Sequence, residues 1–253
     1  MIDLSGSAAL VTGGSRGIGR AVCARLASLG ARVAVHHRSG EDAARETLAL
    51  LAGDGHLVVQ ADLADPEGVR RMVDEAADGL GGLDILVNNA AVYEEHRIAE
   101  VSYEDWQRAW RTVIDTNLVG TANVTWCAVQ HLLRRGGGRI VNVSSRGAFR
   151  GEPDHPAYGA SKAGLNSMGQ SLAVALAPHG ITVTTVAPGF VATDMAASIL
   201  EGPEGDAVRA QSPLGRVATP DEVAAVVAFL ASPEAVFTTG TVVDVNGASY
   251  LRT

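Results

Sequence analysis

Tyr158 and Lys162 stand four residues apart in a segment of helical period, which puts a phenol and an ammonium on one helix face. A tyrosine ordinarily ionises near about pH 10, and a neighbouring cation favours the phenolate and brings the group toward proton exchange at working pH. Alone, such a pair is commonplace on helix surfaces. It gains weight from Ser145, which ends the apolar run Ile140-Val141-Asn142-Val143-Ser144-Ser145 ahead of it. A hydroxyl at the carboxyl edge of a parallel sheet faces the crevice where such folds bind ligands. Ser144 competes for the same part. The amides of Asn88, Asn89 and Asn117 are further candidates, although buried amides in such places more often tie backbone together than react.

A second constellation follows the first apolar run. Thr12-Gly13-Gly14-Ser15-Arg16-Gly17-Ile18-Gly19 leads into a helical segment. Free N–H groups and the positive dipole end of a helix stabilise a dinucleotide pyrophosphate there, and a Cβ would hold the backbone away from it. The spacing of Gly13, Gly17 and Gly19 is GxxxGxG rather than GxGxxG. The second apolar run ends in His36-His37-Arg38-Ser39 without an acid. An acid at that place would accept from a ribose 2′-hydroxyl and repel a 2′-phosphate, whereas the guanidinium forks of Arg16 and Arg38 suit a phosphate. NADP(H) is therefore expected in preference to NAD(H).

These groups need a scaffold, and the chain supplies one in alternating short apolar and longer helical segments. Strands are expected at 8–12, 32–36, 57–61, 85–88, 139–143, 182–187 and 242–245, several of them apolar throughout, as in parallel strands covered on both faces. Helices are expected at 17–29, 41–52, 66–79, 103–135, 157–177 and 220–230. The 103–135 stretch is long enough for two, and Asp65-Pro66 and Thr219-Pro220 read as helix starts. The pattern predicts an α/β fold: one doubly wound Rossmann domain over 1–253 with a seven-stranded parallel sheet flanked by helices. The Gly- and Pro-containing stretch 190–215 is the one long irregular region and a candidate substrate lid.

Composition narrows the partners. With 47% hydrophobic and 19% charged residues the chain has a core to bury, and a net charge of −8 argues against nucleic acid. Cys23 and Cys127 lie far apart in apolar helical patterns, so neither a disulfide framework nor a CxxC metal site is expected. The histidines show no metal-ligand spacing, and no catalytic metal is predicted. No basic leader or long apolar span appears. A cytoplasmic protein away from membranes is the expectation.

Together, TGGSRGIG at 12–19, Asp62-Leu63, NNAA at 88–91, Asn117, Ser145, YGASK at 158–162, PGFVAT at 188–193 and a closing TGTVVDVNG resemble the short-chain dehydrogenase/reductase family along essentially the whole chain. Within it the wording is similar to the 3-oxoacyl-[acyl-carrier-protein] reductases. The resemblance implies an NADPH-dependent reduction of a carbonyl to a secondary alcohol, with a small-molecule or acyl-thioester substrate. It makes Tyr158 the acid/base, Lys162 its pKa-lowering partner and ribose contact, Ser145 the donor to the substrate oxygen, and Asn117 the residue that positions Lys162 through a water. Gly13, Ser15, Arg16, Gly17, Ile18, Gly19, His37, Arg38, Ser39, Asp62, Leu63, Asn89, Ala90, Pro188, Gly189, Val191 and Thr193 would contact the dinucleotide, as would Tyr158 and Lys162. It also implies a homotetramer, with Trp106, Trp110 and Trp126 on helices that cover a core or an interface.

Three departures qualify the resemblance. The family's NNAG is NNAA here, its frequent Gly-Gly near the C-terminus is Gly247-Ala248, and the arginines it uses to grip a carrier protein align with Gly136 and His179. Arg134, Arg135 and Arg139 are near the first of those positions, where they would equally serve as a helix C-terminal cap. A sugar, ketone or aldehyde reductase, or a non-catalytic NADP-binding sensor, are the alternative readings.

Overall fold

In the computed structural model, which describes residues 2–252, seven strands form one parallel sheet in the order β3-β2-β1-β4-β5-β6-β7. They are β1 (Ala8–Val11), β2 (Arg32–His37), β3 (Leu57–Gln60), β4 (Ile85–Asn88), β5 (Gly138–Val143), β6 (Ile181–Pro188) and β7 (Val242–Val245). Helices α1 (Gly17–Ser28), α2 (Glu41–Ala49), α3 (Pro66–Leu80), α4 (Tyr103–Ile114) and α5 (Thr121–Arg135) fall between the first five strands. α6 (Gly147–Arg150) and α7 (Pro156–Leu176) precede β6, and α8 (Asp194–Leu200), α9 (Gly205–Ala210) and α10 (Pro220–Leu230) precede β7.

Period-two alternation splits the strand side chains between two cores. Ala9, Val11, Ile85, Val87, Val141 and Val143 pack on one face against Val22, Cys23 and Leu26 of α1 and Val223, Val227 and Ala228 of α10. Ala8, Leu10, Leu86 and Ile140 pack on the other against Val69, Met72, Val73 and Leu80 of α3 and Val124, Ala128 and Leu132 of α5. The helix starts read from sequence are present. The Asp65 side chain accepts from the Glu67 N–H, and Thr219 and Glu222 form a reciprocal capping box.

The structure agrees with the two-helix reading of 103–135 and adds how the two are joined, and it departs from the reading of 190–215. The 103–135 stretch is two helices joined without a loop: a π turn, Asp115–Gly120, carries α4 directly into α5. Asn117 sits within that slip of the hydrogen-bond ladder. The 190–215 stretch is not irregular throughout, because it contains α8 and α9. At seven and six residues these helices are too short to declare a period.

Candidate active site

The strand order reverses between β1 and β4, and the carboxyl ends of the strands on both sides of that point open onto a cleft of about 370 Å³. Every residue expected to contact a dinucleotide lines it, from the Gly13–Gly19 turn through His37, Arg38, Asp62, Leu63, Asn89 and Ala90 to Pro188, Gly189, Val191 and Thr193. Ser145, Tyr158 and Lys162 line its far end.

The turn after β1 is packed too closely for side chains. Gly13 has φ +64°, and a Cβ there would lie 2.9 Å from Ala90 Cα; a Cβ on Gly19 would lie 2.1 Å from the Gly13 carbonyl oxygen. Three residues hold this cradle open. Asn89 donates from its amide to the Thr12 and Gly13 carbonyls at 2.9 and 3.1 Å. Arg20 donates to the Ser15 carbonyl at 2.9 Å. His36 accepts from the Gly13 N–H at 3.0 Å through Nδ1 and donates to the Ala61 carbonyl at 3.1 Å through Nε2. That pattern requires the neutral ring, and burial pushes the His36 pKa down to about 4. Sequence reasoning missed Arg20 and His36, since neither has a spacing signature.

The cleft suits an NADP-type dinucleotide in its polar groups as well as its backbone. Arg16 and Arg38 are exposed at its rim, and neither joins an ion pair among the described residues. His37 lines it with a buried Nδ1 that has no partner among the described residues. Ala91 stays out of the left-handed region. Ala248 does not: at φ +59° it is the only non-glycine residue described with positive φ, a strain worth about 1–2 kcal/mol.

At the far end α7 presents Tyr158 in its first turn and Lys162 one turn later. The Lys162 ammonium donates to the Val143 carbonyl at 2.8 Å and lies 5.7 Å from the Tyr158 ring centroid. Burial pushes the Tyr158 phenol up to about 12, against the Ser145 hydroxyl beside it, which lowers it; burial brings Lys162 down to about 8. The phenol is thus a proton donor at neutral pH and the ammonium is still largely charged. Ser145 accepts from the Gly147 N–H at 3.0 Å, which fixes its hydroxyl. Ser144 instead donates to the Lys162 main-chain carbonyl at 3.3 Å and is 4% exposed, so it serves the β5–α7 contact.

Asn117 is apart from the cleft. Its side chain accepts from the Val92 N–H at 2.8 Å and donates to the Val92 carbonyl and the Ser161 hydroxyl at 3.0 and 3.2 Å. It ties the segment after β4 to α7, one residue from Lys162. Asn88 is structural, donating to Thr125 and Asn142 in the core. Tyr93 meets Tyr158 edge-on at 4.7 Å and so walls the phenol, and the His155 ring stacks behind Tyr93 at 3.7 Å. Of the arginines near the end of α5, Arg135 is paired with Asp84 at 2.9 Å and Arg134 donates to His131. Among the described residues no three metal-ligating side chains come together, and no helix is long and apolar enough to cross a membrane.

Residues 13–248 match the family described as Enoyl-(Acyl carrier protein) reductase. The chain is 37% identical over 250 residues to the 3-oxoacyl-[acyl-carrier-protein] reductase FabG of Vibrio cholerae, covering 99% of this chain and 100% of that one. It is 39% identical over 251 residues to the FabG of Aquifex aeolicus, covering 98% and 99%. Among solved structures, a short chain dehydrogenase from Burkholderia cenocepacia in complex with NADP matches with TM-score 0.87 at 37% identity, over 97% of this chain and 98% of that one. A dehydrogenase/reductase from Sinorhizobium meliloti matches with TM-score 0.89 at 34% identity, over 98% and 97%. A glycine cradle at the sheet's switch point, a tyrosine and lysine one turn apart beside a serine, and relatives matched from end to end lead to one assignment: the chain belongs to the short-chain dehydrogenase/reductase family of NAD(P)-dependent oxidoreductases.

Proposed function

We propose that the protein is an NADPH-dependent reductase that converts a carbonyl to a secondary alcohol, with 3-oxoacyl thioesters the first substrates to test. The observation that carries this reading is the placing of Ser145, Tyr158 and Lys162 together at one end of a dinucleotide-shaped cleft. A bound nicotinamide supplies the hydride; everything else falls to the chain. Ser145, its hydroxyl held by the Gly147 N–H, donates to the substrate oxygen. Tyr158 gives its proton to the same oxygen as negative charge develops there, and Lys162 stabilises the phenolate left behind. Asn117 acts through Ser161 and Val92 by holding the frame from which Lys162 projects. Arg16 and Arg38, with His37 and Ser39 beside them, receive the 2′-phosphate that distinguishes NADP(H) from NAD(H).

A second reading, reduction of a sugar, ketone or aldehyde, is favoured by the polar lining near Ser145, where Arg146 and Glu152 face the cleft. A non-catalytic sensor is disfavoured by the intact tyrosine, lysine and serine. We further propose a homotetramer, supported by apolar surface that a monomer would leave in water: Trp126 and Val119 on one side, Val236 and Phe237 before β7 on another. Sedimentation as a monomer at micromolar concentration would reject it. Two buried free thiols, Cys23 and Cys127, suit the reducing cytoplasm.

The test is oxidation of NADPH by an acetoacetyl thioester, run beside NADH and a Tyr158→Phe control. Turnover with NADPH that the variant lowers by about 10²-fold or more supports both the Tyr158 part and the 3-oxoacyl class. Tight NADPH binding without thioester turnover would remove the 3-oxoacyl assignment and leave the cofactor site standing.

A further inference from the structure

Arg146 follows Ser145 directly and is 5% exposed, yet it joins no ion pair among the described residues. Its guanidinium donates to the Ser249 hydroxyl at 2.8 Å and to the Gln211 side-chain carbonyl at 2.6 Å, both neutral, and packs 4.9 Å from the Phe190 ring centroid. The same residue lines the cleft beside Ser145, Tyr93, Glu152 and Tyr158. A second guanidinium, Arg150, donates to the same Gln211 oxygen at 2.7 Å. Glu152 is the carboxylate that faces both, and burial raises its pKa, while Asp154 is engaged with Arg97 at 3.1 Å. The neighbourhood of Ser145 therefore holds two cations against one carboxylate that burial weakens.

A guanidinium taken out of water without a counter-ion costs free energy, and a neutral amide would make the same two hydrogen bonds without that cost. The arrangement is explained if the missing anion belongs to the substrate. A planar fork matches a carboxylate, and Phe190 beneath it excludes the water that would screen the pair.

We propose that Arg146 is a specificity-determining residue that receives a carboxylate carried by the substrate, so that the carbonyl compound reduced at Ser145 and Tyr158 is an anionic oxo acid rather than a neutral thioester. The carboxylate is a handle and does not react. The carbonyl carbon gains a hydride from the dinucleotide and its oxygen gains the Tyr158 proton, giving a hydroxy acid and the oxidised dinucleotide. The inference rests on the reductase reading above and puts an anionic oxo acid in place of the thioester as its substrate.

The experiment compares kcat/KM with NADPH for straight-chain 2-oxo, 3-oxo and 4-oxo acids, their methyl esters and an acetoacetyl thioester, in the wild type, Arg146→Lys and Arg146→Met. Thermal-shift binding of the corresponding hydroxy acids, which needs no turnover, runs in parallel. The expected result is an acid preferred over its ester by about 100-fold, a preference that falls to about 1 in Arg146→Met and is partly restored in Arg146→Lys. Hydroxy-acid binding should follow the same order. NADPH binding verifies that the Met variant is folded; if it is not, the Lys variant and a Gln211→Leu variant, which releases the guanidinium from its anchor, should each lower the acid-to-ester ratio. Esters or the thioester outrunning every acid in the wild type, or an acid preference untouched at Arg146, overturns the inference. No turnover of any carbonyl by an enzyme that binds NADPH overturns the reductase reading instead, and hydroxy-acid binding then decides the part of Arg146 alone.

Discussion

Lys162 is 3% exposed, and the structure makes its burial measurable. Its ammonium donates to the Val143 carbonyl and, in the chain alone, titrates near about 8 instead of 10.5 because burial disfavours the charged form. In the unfolded chain the lysine keeps its proton to about pH 10.5, so between about pH 8 and 10 the unfolded state binds more protons than the folded one, and stability rises with pH. Integrated from pH 7 to 10 the rise is about 2.5 kcal/mol. Lys162→Met removes the titration and should abolish that rise, while also abolishing turnover. The assay is urea denaturation of the cofactor-free protein at intervals from pH 7 to 10, wild type against variant. Cys23, whose thiol burial pushes up, contributes with the opposite sign in both proteins and cancels in the difference. Tyr158, held near about 12, retains its proton above the range where unfolded tyrosine loses it, which lowers stability only above about pH 10. Identical pH slopes in the two proteins would mean that the ammonium is hydrated, and the argument from burial would fail.

Three further outcomes are expected. His36 ionises near about 4 when folded, against 6.5 as a free group. Its contribution, complete above about pH 6.5, should be lost as pH falls, costing about 3 kcal/mol between pH 7.5 and 4, and a His36→Asn variant measured by the same denaturation should lack that loss. Arg38→Ala should weaken NADPH binding by about 10- to 100-fold in calorimetric titration and leave NADH binding within a few-fold, since only the 2′-phosphate meets the guanidinium. Gly13→Ala, at φ +64° with its Cβ 2.9 Å from Ala90 Cα, should cost roughly 1–3 kcal/mol of stability and at least about tenfold in dinucleotide affinity; unchanged affinity would show that the turn does not approach the phosphates.

Much of this was legible in the residues. The β4 and β7 spans and α10 coincide with their sequence expectation, because period and caps are local properties of the chain. The short helices α8 and α9 were not legible, being too brief to show a period. Nor was the π turn, whose one-residue slip leaves the apolar pattern of α4 and α5 nearly unchanged. At the site, Tyr158, Lys162 and the adjacent hydroxyls Ser144 and Ser145 could be picked out by type and spacing. The choice between Ser144 and Ser145 could not, since it depends on which hydroxyl α7 covers.

What the sequence determined by itself is therefore the parallel sheet, the glycine turn after β1, the missing acid after β2 and the tyrosine–lysine pair, all carried by near-neighbour spacing. The tertiary structure alone decided what happens between residues far apart in the chain. His36 and Arg20 close on the phosphate turn, Tyr93 walls the phenol with His155 stacked behind it, and Asn117 spends its side chain on Val92 and Ser161. Arg146 is buried against Gln211 and Ser249 and joins no ion pair among the described residues. Burial, charge balance and hydrogen-bond partnership are properties of packing across the sheet edge, and no spacing along the chain encodes them.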